Sequence, residues 1–121
     1  MSHIVVIKTK VRDPAALTSA CARLNLPAPV QGTARLYSGE ATGLIVTLPG
    51  WTYPAVIDTQ TGEVRCDHFE GRWGNPRELD RLLQAYAVEI CRLAARQKGY
   101  AVTEQQLPDG SVKLQILAEG S

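Results

Sequence analysis

Cys66, Asp67 and His68 bring a thiol, a carboxyl group and an imidazole together at consecutive positions. On a β-strand, the side chains of Cys66 and His68 would point to one face and that of Asp67 to the other. The two that share a face could bind a metal ion together or act as a Cys–His nucleophile. The alternative is a strand end that leads into a loop and carries no chemistry.

A metal site here would need further ligands, because two side chains do not complete a zinc site. The chain offers His3, Cys21 and Cys91, or a carboxylate such as Glu70. His3 could carry a proton or bind a ligand, or it could be a strand-end histidine bonded to a neighbouring carbonyl. With three cysteines and two histidines in all, we predict that the protein binds no stoichiometric transition metal and no other cofactor.

Two tryptophans stand in turn-rich segments, where large aromatic side chains often anchor partner proteins. Trp51 lies in segment 49–54 and Trp73 in segment 69–74. Trp73 comes just before a helix cap and could instead pack near Leu79 as a hydrophobic staple. The sequence therefore favours packing for Trp73 and a surface role for Trp51.

Four arginines fall within an arc of about 100° on one predicted helix, opposite its apolar stripe. They are Arg77, Arg81, Arg92 and Arg96. Such a face could bind an acidic protein or phosphate groups. It could also be an ordinary solvated face, because Asp80 and Glu89 flank it and reduce its charge.

Composition limits the class of protein. The 121 residues are 45% hydrophobic and 21% charged, which predicts one domain, 1–121, with one core. A net charge of +1 makes nucleic acid an unlikely partner. No apolar run reaches the length of about 18 residues that a membrane helix needs, and no signal peptide is evident, so we predict a cytoplasmic protein without a membrane partner.

The first half of the chain predicts a strand, a helix and a run of short strands. The strand covers 3–11, and we expect its first half to be covered on both faces because Ile4 and Val6 are apolar as well. Asp13 and Pro14 give the N-cap and first residue of a helix that stops at Asn25. Short links then favour an antiparallel meander, with strands at 33–38, 43–48, 52–57 and 63–66.

The second half predicts a long helix and a hairpin. Asn75, Pro76 and Glu78 form a helix start, and Gly99 ends a helix over 76–98. Strands at 100–107 and 111–117 follow around a Pro-Asp-Gly turn. The apolar face predicted for the helix consists of Leu79, Leu82, Leu83, Tyr86, Ile90, Leu93 and Ala94.

These elements predict an α+β fold, in the order β-α-(β-meander)-α-β-β, with both helices on one face of a largely antiparallel sheet. A ferredoxin-like arrangement is the alternative. Such a two-layer fold leaves one sheet face uncovered, so we expect a homodimer, or a partner protein, over that face.

Short motifs along the chain resemble a known family. They are Met1-Ser2-His3, Ile7-Lys8-Thr9-Lys10, Gln84-x-Tyr86-Ala87, Gly99-Tyr100-x-Val102 and Asp109-Gly110-Ser111-Val112. Their order resembles that of the hypothetical chloroplast reading frame thirty-five family, short proteins of cyanobacteria, other bacteria and algal plastids. The resemblance spans nearly the whole chain but is strong only at its two ends, and 29–71 matches poorly.

The resemblance implies an accessory role, because members of that family lie near genes for AAA-class ATPases. The family's helix carries Tyr-Ala-Tyr-His, whereas this chain has Tyr86, Ala87, Val88 and Glu89. No role of that histidine is therefore carried over.

The function predicted from the sequence is that of a non-catalytic accessory or adaptor protein that acts by protein–protein interaction, with an AAA-class ATPase as the implied partner. Nucleotide-binding and hydrolase motifs are missing from the sequence. The alternative is a small enzyme or metal-binding protein centred on His3, Cys66 and His68. Nucleic-acid binding through the arginines is a third interpretation, which would make retention on nucleic acid steeply salt-dependent.

Overall fold

Helix and strand boundaries follow the local sequence signals. The computed structural model describes residues 4–68 and 71–117. In chain order its elements are β1 (Val5–Lys8), α1 (Pro14–Arg23), β2 (Val30–Leu36), β3 (Gly39–Val46), β4 (Ala55–Asp58), β5 (Glu63–Cys66), α2 (Pro76–Gln97), β6 (Ala101–Gln106) and β7 (Val112–Leu117). The predicted α+β class and the predicted order of elements are confirmed.

The strands form two separate sheets. The larger has the order β1-β5-β4-β3-β2, and the smaller is the C-terminal hairpin β6-β7. Every pairing among the described strands is antiparallel. A ferredoxin-like fold contains β-α-β units with parallel strands, so this topology is the meander and not the ferredoxin-like alternative.

Both helices cover the same face of the larger sheet, as predicted. The main core between them is formed by Leu17 and Cys21 of α1, Leu82 and Tyr86 of α2, and sheet residues such as Ile57. The Tyr86 hydroxyl accepts the backbone N–H groups of residues 12 and 13, at 3.1 and 3.0 Å. This contact fastens α2 to the entry of α1.

The second face of the larger sheet is covered in part by the chain's own β2–β3 hairpin. The first half of β3, 39–43, pairs with β2 but extends beyond β4. Leu36 and Ala41 of this hairpin form a second core with Val56 of β4. The expectation of an uncovered face is therefore wrong around Val56, although Val6 on β1 stays exposed.

Several strands differ in extent from the sequence prediction. β1 ends at Lys8 instead of residue 11, and β2 covers Val30–Leu36 instead of 33–38. The segment 39–42, expected to be a link, belongs to β3, because Ala41 packs in the second core and Thr42 bonds to Thr33 across the hairpin, with hydroxyl oxygens 2.8 Å apart. The turn is instead at 37–38. β4 begins at Ala55, directly after Pro54, which has no N–H to donate to a ladder.

Helix α2 is buried on more than its predicted stripe. Leu79, Leu82 and Tyr86 are buried as expected, but Ala94 is exposed. Ala85, Val88 and Ala95 are buried in addition, on the side of the helix that carries the arginines. The hairpin β6-β7 packs against α2, so part of the face predicted to be solvated is covered. Neither described helix is long and apolar enough to cross a membrane.

Candidate functional site

Cys66 ends β5 with its side chain fully buried in the main core. Burial, together with the charge of the neighbouring Asp67, raises the pKa of the Cys66 thiol to about 11. The thiolate is the form of cysteine that attacks substrates and binds metals, and a thiol with this pKa is protonated at neutral pH. The structure therefore argues against Cys66 as a nucleophile or a metal ligand.

His68 is held by contacts outside the proposed cluster. Its Nδ1 atom accepts a hydrogen bond from the backbone N–H of Gly71 at 3.2 Å. Its ring stands edge-on to the ring of Trp51, with centroids 5.8 Å apart. These contacts give His68 a structural role in the loop after β5.

No metal centre is assembled in the part of the chain that the structure describes, where no group of three or more His, Cys, Asp and Glu side chains could hold an ion. Cys21 is buried in the main core, and Cys91 is exposed on α2. His3 and Glu70, the other ligands considered, lie outside the described residues.

Asp67 is fully buried, and neither oxygen of its carboxyl group has a hydrogen-bond partner among the described residues. Alternation along β5 directs it away from the main core, to the second face of the sheet. Continuing the strand registers by one residue places it between Ile4 and Pro54. A buried polar group without a partner costs stability. The sequence identified Asp67 as part of a cluster but gave no sign of its isolation.

Both tryptophans pack within the fold, as favoured for Trp73 but not for Trp51. Trp51 packs against the main core, and its indole Nε1–H donates to the carbonyl oxygen of Asn75 at 3.0 Å. Gly74 makes room for this ring, because a Cβ atom there would collide with it. Trp51 therefore positions the start of α2.

Trp73 belongs to an aromatic cluster. Its ring centroid lies 4.7 Å from that of Tyr37 and 5.5 Å from that of Tyr53. Tyr37 stands in the turn between β2 and β3, so this cluster attaches the tip of that hairpin to the loops that flank β4 and α2.

The four arginines of α2 do not act as one cationic surface. Arg92 is bound by Glu104 of β6, and Arg81 lies 3.6 Å from the Glu78 carboxylate. Arg77 and Arg96 are exposed and pair with no carboxylate among the described residues. The face therefore carries two unpaired arginines at opposite ends of the helix.

A cluster of four charged side chains, which we call the hairpin clamp, joins α1, α2 and β6. Arg23 of α1 lies 2.6 Å from Glu104 and 2.9 Å from Glu89 of α2, and Glu104 also binds Arg92. Hydrogen bonds from Arg23, with the charges of both arginines, lower the pKa of the Glu104 carboxyl group. The clamp therefore fixes the hairpin against both helices.

Glu104 was not among the residues predicted to be functional, although the sequence carries a signal for it. It shares one face of the hairpin with Val102 and with its cross-strand partner Leu114. A carboxylate in an otherwise apolar row predicts a partly buried cation close to it. Arg23 and Arg92 are those cations.

A groove of about 1080 Å³ runs between the N-terminal half of α2 and the hairpin. Its apolar lining includes Ala85, Val88 and Val112, and its charged lining residues are Arg23, Arg77, Asp80, Arg81, Glu104 and Asp109. Because both signs of charge line the groove, it does not select an anion by electrostatics.

Exposed apolar side chains concentrate at the base of the hairpin. Tyr100 is 36% exposed, Ile116 48% and Leu117 49%. In the described part of the chain, β6 and β7 pair only with each other, so each has one edge without a strand partner. The hairpin thus presents apolar surface and free backbone groups together.

Comparison of the chain with family models, with curated proteins and with solved structures finds no match. The resemblance drawn from the short motifs therefore remains a prediction.

Proposed function

We propose that this protein is a non-catalytic adaptor that binds another protein through its C-terminal hairpin. The observation that carries the proposal is the hairpin β6-β7, which forms its own sheet with exposed Tyr100, Ile116 and Leu117. A free strand edge with apolar side chains beside it is the arrangement used in strand addition, where backbone hydrogen bonds supply affinity and side chains supply selectivity.

The hairpin clamp supports this function because it holds the binding element in one position. A two-stranded hairpin is only marginally stable alone. Here Arg23 and Arg92 bind Glu104 from two different helices. A binding element that is already ordered loses less conformational entropy when a partner docks.

An AAA-class ATPase is the first partner to test, since the family resemblance implies one. A protein that presents a hairpin to such a machine needs no catalytic group of its own. The small-enzyme alternative loses support because the Cys66 thiol is buried and its pKa is raised to about 11.

The test is retention of partners by immobilised protein in extract from the native cell, compared across matched variants. Ile116→Lys places a charge in the exposed apolar patch, while Val30→Lys does the same at an apolar side chain that is 63% exposed on β2. We expect a partner, identified by mass spectrometry, to be retained by the wild type and by Val30→Lys and to be lost with Ile116→Lys.

Equal retention by all three proteins, or no specific retention by the wild type, would contradict the proposal. Thermal denaturation of each variant checks that it remains folded. An ATPase of the AAA class among the lost proteins would support the finer assignment of the partner.

A further inference from the structure

The backbone of β7 has a row of hydrogen-bonding groups that point away from β6. The N–H of Leu107 donates to the carbonyl oxygen of Ser111 at 2.9 Å, so these residues form a hydrogen-bonded pair beside the turn. Hydrogen-bonded and non-hydrogen-bonded pairs alternate along an antiparallel ladder. Counted along the register from that pair, the N–H and C=O groups of Val112, Leu114 and Ile116 point outward. We call this row the β7 edge.

Within the described residues, polar side chains of the helices bind β6 and not β7. Glu104 of β6 is bound by Arg23 of α1 and by Arg92 of α2. No hydrogen bond or ion pair joins a helix side chain to a residue of β7 in that part of the chain. Ile116 lies on the helix-facing side of the hairpin and is still 48% exposed. The β7 edge therefore has room beside it for a further strand.

The outward face of the hairpin, opposite to its helix-facing side, carries a single charge, that of Lys113. The other side chains of this face are uncharged, and they are Ala101, Thr103, Gln105, Gln115 and Leu117. Among the described residues Lys113 has no carboxylate partner. A lysine on an edge strand opposes unselective strand pairing. It therefore makes the β7 edge selective for the charge of the strand that pairs with it.

We propose that the partner adds an antiparallel strand to the β7 edge and that this strand carries an acidic residue between two apolar ones. The proposal rests on the adaptor function proposed above and names the chemistry of the partner segment. The acidic residue stands opposite Lys113 in a non-hydrogen-bonded pair, where facing side chains approach most closely.

The two apolar residues of the added strand stand opposite Val112 and Leu114. Because alternate side chains share a face, they lie on the same side as Ile116 and, with a third apolar residue opposite it, remove Ile116 from water. A basic residue at the acidic position would face Lys113 with a like charge, which is destabilising in a cross-strand pair.

Two synthetic peptides, blocked at both ends, test the charge preference on the full chain by isothermal titration calorimetry. The acidic peptide is Ser-Val-Thr-Val-Glu-Val-Ser, whose three valines fall opposite the β7 edge when its glutamate stands opposite Lys113. The basic peptide has lysine in place of glutamate. We expect the dissociation constant of the acidic peptide to be about fivefold lower than that of the basic one.

Charge reversal on the protein supplies the matched variants. Lys113→Glu changes an exposed side chain and should reverse the preference between the two peptides. Lys10→Glu makes the same change of charge at an exposed position after β1 and should leave the preference as in the wild type. Thermal denaturation checks that both variants remain folded.

Amide hydrogen exchange, measured residue by residue by NMR, locates the contact. The N–H groups of the β7 edge point to solvent in the free protein, so the bound acidic peptide should slow their exchange. The outward N–H groups of Val102 and Glu104 on β6 should keep their exchange rates.

Equal affinities for the two peptides, no binding of either, or a preference that Lys113→Glu does not reverse would overturn the inference. Slowed exchange on β6 in place of the β7 edge would overturn it as well. Partner retention compared between Ile116→Lys and Val30→Lys is a separate measurement. If that retention behaves as expected while the peptides are not distinguished by charge, the adaptor function stands and the strand chemistry inferred for the partner fails.

Discussion

Asp67 is, within the described residues, the buried side chain whose polar atoms find no hydrogen-bond partner. Two other aspartates have hydrogen-bond partners. Asp13 accepts the backbone N–H groups of Ala15 and Ala16 and caps α1, and Asp58 accepts the backbone N–H of Gln60. Those acids lie at turns and helix ends, where free N–H groups are available. Asp67 lies at a strand end under a second layer of chain.

Replacing Asp67 by asparagine should stabilise the protein. The amide has the same shape but no charge, so the cost of keeping a carboxylate without partners away from water is removed. We expect the free energy of unfolding from urea denaturation at neutral pH to rise by about 1–3 kcal/mol. Asp58→Asn keeps an oxygen acceptor for Gln60 and should change stability by less than about 0.5 kcal/mol. A loss of stability with Asp67→Asn would contradict this account.

At the scale of elements, α2 organises the molecule because each of its sides has a different neighbour. One side packs in the main core, and another carries Ala85 and Val88 beside the groove and hairpin. The start of the helix is held by the Asn75 side chain, which accepts the backbone N–H of Arg77 at 3.0 Å, and by Trp51 on the Asn75 carbonyl.

Adjacent leucines on α2 should differ in their contribution to stability. Leu82 is fully buried, whereas Leu83 is half-buried. Leu82→Ala should lower the free energy of unfolding by about 2–5 kcal/mol through lost burial and the cavity left behind. Leu83→Ala should cost clearly less, and Gln84→Ala, on the exposed side, almost nothing. Equal losses for Leu82 and Leu83 in urea titrations would show that the helix is rotated relative to this structure.

At the scale of the whole molecule, parts of the same chain pack on both faces of the larger sheet, although Val6 and Val30 stay exposed on the second face. The helices cover one face, and the β2–β3 hairpin covers the centre of the other. Gly43 permits this geometry, since a Cβ atom there would collide with the carbonyl oxygen of Ile57 on β4. Ile4 reaches the hairpin as well, with its Cδ1 atom 3.4 Å from the place of a Cβ at Gly39.

Leu36 tests whether the β2–β3 hairpin covers the sheet, because its side chain lies in the second core. Its side chain is 1% exposed, although it belongs to an edge strand that the sequence alone would leave partly in water. Leu36→Ala should lower the free energy of unfolding by about 2–5 kcal/mol. Arg35→Ala, the exposed neighbour on β2, should have little effect. If both substitutions have equally small effects in denaturant titrations, the hairpin does not cover the sheet.

Local sequence determined the elements of this protein. The helix starts are set by the Asn75 cap with Pro76 and by the Asp13 cap with Pro14, and β7 is set by its alternating side chains. Each of these signals acts through neighbours a few residues away, so these helix and strand positions could be predicted without a fold. The apolar stripe of α2 was also predicted in its first turns, from Leu79 to Tyr86, because the helical spacing of the apolar residues alone defines it.

Tertiary structure decided which surfaces remain free, because that depends on residues far apart in the chain. Arg23 and Glu104 are 81 positions apart, and no local pattern pairs them. The burial of Asp67 and of Cys66 likewise depends on parts of the chain that only folding brings around β5. Side-chain types and spacing could therefore suggest a site at residues 66–68, but the surroundings that set burial, charge and access come from long-range packing.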